Sequence, residues 1–169
     1  MTTKQTVRML TRYNAWANRT LFDAVAALPA GEATKERPTL FTNMVHTLNH
    51  LYVVDLIWQA HLEGRDHGIP ALKTMLHPEL ADLYRAQKEI DAWYVSYGDS
   101  LSETALDETI HFTLIGGNKG SMRRGDVFFH VVNHTSYHRG FVADLFFQVP
   151  KVPPLTDIPI FLRTEGVPA

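Results

Sequence analysis

Residues 125–147, GDVFFHVVNHTSYHRGFVADLFF, constrain the fold most, because their apolar side chains recur at the spacing of an amphipathic helix. At about 100° per residue, His134 and His138 fall on the same arc as the apolar residues Val127, Val131, Phe141 and Leu145. The segment predicts a core helix whose paired histidine rings can share one ligand. His130 lies toward the edge of this arc, so we place it outside the ligand set. Ordinary hydrogen bonds also hold many core histidines, so this helix alone leaves both interpretations open.

A second predicted helix, residues 42–62, repeats the pattern. His50 lies at the centre of its apolar face, within about 40° of Asn43, His46, Val54, Ile57 and His61. His46 precedes His50 by one turn and is its main rival as a third ligand, or a group that supports the ligands. Two pairs of core-facing histidines are unfavourable unless they are partnered, so the coincidence favours a shared ligand.

The absence of cysteine narrows the chemistry further. It excludes disulfides, thiolate ligands and a thiol nucleophile from the protein, so a small molecule must supply any reactive sulfur. Three neutral nitrogen donors, from His50, His134 and His138, are the ligand count of a catalytic metal site with a position left for water or substrate. Zinc, nickel, iron and manganese all accept such ligands, so we expect a divalent transition metal of undetermined identity.

Charge and hydropathy argue against a nucleic-acid-binding, membrane-spanning or secreted protein. The net charge is −2 and the basic residues are scattered, which disfavours nucleic-acid binding. No segment approaches the length of about 18 apolar residues needed to span a membrane, and the N-terminus does not resemble a secretory signal. We therefore expect a cytoplasmic protein, folded as one domain over residues 1–169, that contacts neither nucleic acid nor membrane.

The remaining segments complete an all-α pattern. Two more helices are predicted at about 3–28 and 78–101, with a long crossover between the second and third helices. His61, His67 and His77 lie around this crossover, where we expect exposed or helix-end histidines. Alternation in residues 108–115, followed by GGNKG, predicts a small β-hairpin before the last long helix. In the tail, residues 148–169, a short helix is predicted to hold Phe161 and Leu162 against the bundle.

The sequence also predicts the exposure and pairing of four polar side chains. Asn14 and Asn18 are predicted to face water, because asparagine is a mediocre residue inside a helix. Asp55 and Arg139 each lie about 140° from a core histidine on their helices. We therefore expect them off the core face, paired as a structural ion pair.

Four segments in chain order, YNAWANRTL, HTLNHLYVVDLIW, HVVNHTSYHRG and TDIPIFLR, resemble the DinB family of the DinB/YfiT-like superfamily. The resemblance implies a four-helix bundle with a long crossover between helices 2 and 3, and homodimers. It also implies a metal site that corresponds here to His50, His134 and His138. Family members often have glutamine after the HRG motif, where this chain has Phe141. We therefore expect that its substrate can differ from theirs.

The same resemblance implies an activity. Characterised superfamily members include thiol-dependent S-transferases, so the leading hypothesis is a metal-dependent transferase that acts on a small-molecule substrate with a low-molecular-weight thiol. A metal-dependent hydrolase is a close variant. The alternative class is a non-enzymatic stress-response protein that binds metal or a small ligand.

Overall fold

The computed structural model describes residues 2–166, most of which are helical. Four long helices, two short helices and one antiparallel hairpin follow in the order α1 (Lys4–Ala26), α2 (Met44–Leu62), α3 (Leu80–Ser100), α4 (Glu103–Asp107), β1 (Thr109–Thr113), β2 (Lys119–Arg123), α5 (Arg124–Phe146) and α6 (Ile158–Thr164). The mostly helical class and the predicted hairpin are therefore confirmed. The short helix α4 was not predicted. Within the described chain, no helix is long and apolar enough to cross a membrane.

Each of the four long helices packs against two of the other three. Helix α1 packs against α3 and α5, and α2 packs against the same two helices. One apolar cluster surrounds Trp58, Tyr94 and Phe128, and a second surrounds Phe22 and Leu48. Full burial of one large apolar side chain stabilises a fold by about 1.5–3 kcal/mol. The packing of α2 on α5 brings together the two helices that carry the predicted ligands.

The crossover between α2 and α3, residues 63–79, is bonded to α2 in part through a buried asparagine. Asn49 donates from Nδ2 to the His77 carbonyl oxygen at 2.7 Å and accepts from the His77 backbone N–H at 2.9 Å. Asn49 is fully buried, so these bonds are shielded from water. They hold the crossover over the first half of α2, where His50 lies.

The expectations for the polar side chains were wrong. Asn14, Asn18, Asp55 and Arg139 are all buried, with at most 5% of each exposed. Within the described chain no salt bridge joins Asp55 to Arg139. Instead Arg139 donates to Asn14 and Asn18 at 2.7 and 2.9 Å, and Asp55 accepts from Gln87 at 2.9 Å. A helical wheel with one apolar arc cannot anticipate this, because each long helix is covered from two sides.

These side chains belong to a continuous buried polar network. Asn18 donates to Asp91 at 3.0 Å, and Gln87 donates to both Asp91 and Asp55. Burial raises the pKa of Asp91 to about 7 and the pKa of Asp55 well above its ordinary value. Such a network fixes how α1, α2, α3 and α5 meet, since every member must find its partner.

The structure of the C-terminal tail confirms part of what the sequence predicted. The short helix α6 is present, and Phe161 is buried against Tyr13 and Trp16, with ring centroids 5.8 and 5.6 Å apart. Leu162, predicted to pack beside it, is 39% exposed. In a helix, adjacent residues point about 100° apart, so a single contact face takes only one of the two.

Candidate metal centre

Three histidines from two helices converge in the half of the interior nearest the crossover. His50 comes from α2, and His134 and His138 come from successive turns of α5. One ring nitrogen from each lies within 4.8 Å of the others. The Nε2 atoms of His50 and His134 are 3.2 Å apart. The three predicted ligand residues therefore form one cluster.

The crossover fixes the orientation of His50. Its Nδ1 lies 2.9 Å from the backbone carbonyl oxygen of Leu72. A carbonyl oxygen only accepts, so Nδ1 carries the hydrogen and Nε2 of the neutral ring presents a lone pair to the cluster. A histidine that donates its other ring N–H to a carbonyl is the usual arrangement at a metal site.

Burial keeps the cluster neutral. It lowers the pKa of His134 to about 3 and that of His138 to about 4, with a smaller contribution from the neighbouring imidazoles. Burial also lowers the pKa of His50. Neutral imidazole is the form that binds a metal, so no proton has to leave at neutral pH.

Two ring nitrogens in the cluster lack partners. The Nδ1 atoms of His134 and His138 are buried without a hydrogen bond. An unpaired buried polar atom is rare and destabilising by about 1–3 kcal/mol. Three neutral imidazoles whose ring nitrogens lie within 4.8 Å of one another fit a divalent transition ion.

Aromatic rings surround the cluster. Phe41, which is buried, stacks on His50 with centroids 4.4 Å apart and meets the His138 ring edge-on at 5.6 Å. The Phe141 ring also lies near His138, with ring centroids 5.4 Å apart. Lys73 brings a cation near these rings, with its ammonium 5.6 Å from the centre of the Phe41 ring. The site thus combines apolar walls with one positive charge, among the residues that the structure describes.

The two other histidines considered as ligands lie outside the cluster. The Nε2 atom of His46 lies 3.2 Å from the Lys73 carbonyl oxygen, to which it donates. His130 lies beside Trp58, with ring centroids 4.6 Å apart. Neither offers a nitrogen to the group formed by the other three.

Sequence reasoning missed Phe41, Leu72 and Lys73. All three lie in connections between helices, where no periodicity marks a buried or inward-facing position. Leu72 contributes through its backbone, which carries no signal from residue type. One weak sign was available for Phe41, an aromatic residue directly before the polar start of α2.

Comparison with known proteins identifies a family for this chain. A family model described as the DinB family matches residues 1–167. The relative named Protein DinB, from Bacillus subtilis (strain 168), is 26% identical over 164 residues, which are 90% of this chain and 91% of the relative. The family match includes all three histidines of the cluster.

Proposed function

The chain belongs to the DinB family, and from this premise we propose that it is a metal-dependent transferase that uses a low-molecular-weight thiol. His50, His134 and His138 hold the ion. The observation that carries the proposal is the convergence of three neutral ring nitrogens within 4.8 Å. Three protein ligands leave a coordination position for a reactant, as in catalytic rather than structural sites.

A divalent ion held there supplies Lewis acidity, which favours the deprotonated form of a thiol or water in the remaining position. The residues of this chain supply orientation and surroundings. The Leu72 carbonyl holds His50 in one tautomer, and the Phe41 and Phe141 rings exclude water from the sides that they cover. The chain has no cysteine, so the thiol is a second substrate.

Lys73 indicates which charge the reactant should carry. Its ammonium lies 5.6 Å from the centre of the Phe41 ring, and its charge adds to the effect of burial in lowering the pKa of His50. A cation this close to the cluster favours an anionic reactant, such as a thiol that also carries a carboxylate. Salt should weaken this preference, because the Lys73 side chain is exposed.

We also propose the arrangement and assembly that the family resemblance implies. The four long helices form a four-helix bundle in one domain, supported by the contacts of α1 and α2 with both α3 and α5. The protein pairs as a homodimer. Light scattering would test the pairing, with about twice the chain mass of 19.2 kDa expected.

The activity can be tested with the full chain loaded separately with zinc, nickel and manganese. Each preparation is mixed with cysteine, glutathione or coenzyme A and an aryl halide such as chlorodinitrobenzene. We expect conjugation that requires the thiol, is lost in His138→Asn and is retained in His77→Asn. Ester cleavage without thiol would replace the transferase by a hydrolase. Saturable binding without turnover in every combination would replace it by a non-enzymatic binding protein.

A further inference from the structure

A second cavity lies away from the metal centre. It has a volume of about 750 Å³ and opens between the end of α2, the crossover residues 64–70 and the β-hairpin. None of the three clustered histidines lines it. Its volume lies within the usual range for small-molecule sites.

One wall of this cavity is apolar and built by the hairpin. The Phe112 ring packs edge-on against Trp58, with centroids 4.9 Å apart, and pairs across the hairpin with Gly120. A Cβ atom at position 120 would lie 2.5 Å from the Phe112 ring, so glycine is required for the ring to lie across the strand. Leu114, also on the wall, is 42% exposed. The wall therefore offers apolar contact area to a ligand.

Hydrogen-bond donors and positive charge occur at two places in the lining, at His67 in the crossover and at Lys119 on strand β2 of the hairpin. The Ile69 backbone N–H donates to His67 Nδ1 at 2.9 Å, so neutral His67 carries its hydrogen on Nε2 and donates from there. Lys119 takes part in none of the salt bridges found among residues 2–166. Of the two cations in the described lining, Arg65 is paired with Glu63 at 2.5 Å, whereas Lys119 has no salt bridge, and Asp66 is the one carboxylate there. Lys119 and the His67 donor therefore favour an anion.

His61 adds an independent observation. It lines the cavity, is only 7% exposed, and its Nε2 has no hydrogen-bond partner. Its ring meets the His67 ring edge-on at 5.6 Å. The buried His61 ring therefore forms part of the cavity lining next to His67.

We propose that this cavity binds a small organic carboxylate with an apolar body. The carboxylate lies at His67 and Lys119, and the apolar body packs on Phe112 and Leu114. The proposal concerns a site separate from the metal centre and does not depend on the transferase activity.

Calorimetry on the full chain tests the proposal with phenylacetate, neutral phenylethanol and inorganic phosphate as probes. We expect saturable binding of phenylacetate and binding of the other two that is weaker by roughly tenfold or more. Lys119→Gln should weaken phenylacetate binding by a similar factor, whereas Lys151→Gln, an exposed lysine outside the cavity, should not. Ring NMR signals of His61 and His67 should shift on addition of phenylacetate.

The His134→Ala variant separates this site from the metal centre, where Lys73 also favours anions. It should keep its affinity for phenylacetate. Equal affinity for phenylacetate and phenylethanol, or for phenylacetate and phosphate, would overturn the proposal. So would unchanged binding in Lys119→Gln, loss of binding in His134→Ala, or the absence of both heat and ring shifts.

Discussion

The Nε2 atoms of His50 and His134 face each other at 3.2 Å, although 84 residues separate them in the chain. His50 already uses its Nδ1 hydrogen on the Leu72 carbonyl, so its Nε2 can only accept. In the metal-free protein the hydrogen between the two rings therefore belongs to His134. For one ion to bind both Nε2 atoms, each would have to present a lone pair, and the His134 hydrogen would then move from Nε2 to Nδ1.

This exchange of tautomer is the first prediction. Nitrogen-15 NMR of the ring atoms should show His134 protonated on Nε2 after chelation and on Nδ1 after addition of zinc. His50 should remain protonated on Nδ1 in both states, and His77, away from the cluster, should not change. If His134 carries its hydrogen on Nδ1 in both states, the two rings do not share the hydrogen bond described here.

The buried carboxyl of Asp91 predicts a pH dependence of stability. Its pKa in the folded protein, about 7, lies above its ordinary value of 3.8, so the folded state retains a proton that the unfolded chain releases. The protonated Asp91 carboxyl contributes its full stabilisation of the folded state below pH 3.8, and this contribution is lost as pH rises through about 7. The loss amounts to about 4 kcal/mol at about 1.4 kcal/mol per pH unit.

The test compares urea unfolding of the natural chain and Asp91→Asn across this pH range. The variant is needed as a reference because His134 and His138 affect stability in the opposite direction. Their pKa values in the folded protein, about 3 and about 4, lie below 6.5, so their contribution to the stability of the folded protein is lost as pH falls. The natural chain should lose free energy of unfolding relative to Asp91→Asn as pH rises. Asp82→Asn, at an exposed position, should follow the natural chain. Parallel curves for the natural chain and Asp91→Asn would contradict the raised pKa.

Two helical glycines predict stability changes of opposite sign. A Cβ atom at Gly98 in α3 would lie 2.9 Å from Val7 Cγ1, a fully buried atom group, whereas a Cβ at Gly140 in α5 meets nothing within 4 Å. Overpacking costs about 1–3 kcal/mol, and replacing glycine by alanine in an open helix position gains about 0.5–1 kcal/mol. Thermal unfolding should show a lowered Tm for Gly98→Ala and a raised Tm for Gly140→Ala. A raised Tm in Gly98→Ala would mean that α1 and α3 are not in close contact there.

Periodicity predicted what depends on a single helix face. It placed His50, His134 and His138 inward, and alternation found the hairpin around Phe112, because these signals are local. It failed for Asn14 and Arg139, whose burial depends on a second neighbouring helix. It also could not find Leu72, since a loop backbone carbonyl is positioned by tertiary contacts and has no pattern of its own.

The central claim is that the three-histidine cluster binds a metal ion, and elemental analysis of untagged protein purified without chelator tests it most directly. The natural chain and His130→Ala, which removes a neighbouring histidine on the same helix, should each contain about one transition-metal ion per chain. His134→Ala should contain almost none. Little metal in the natural chain even after incubation with zinc, nickel and manganese, or equal metal in His134→Ala, would contradict the claim and leave a helical protein with uncoordinated core histidines.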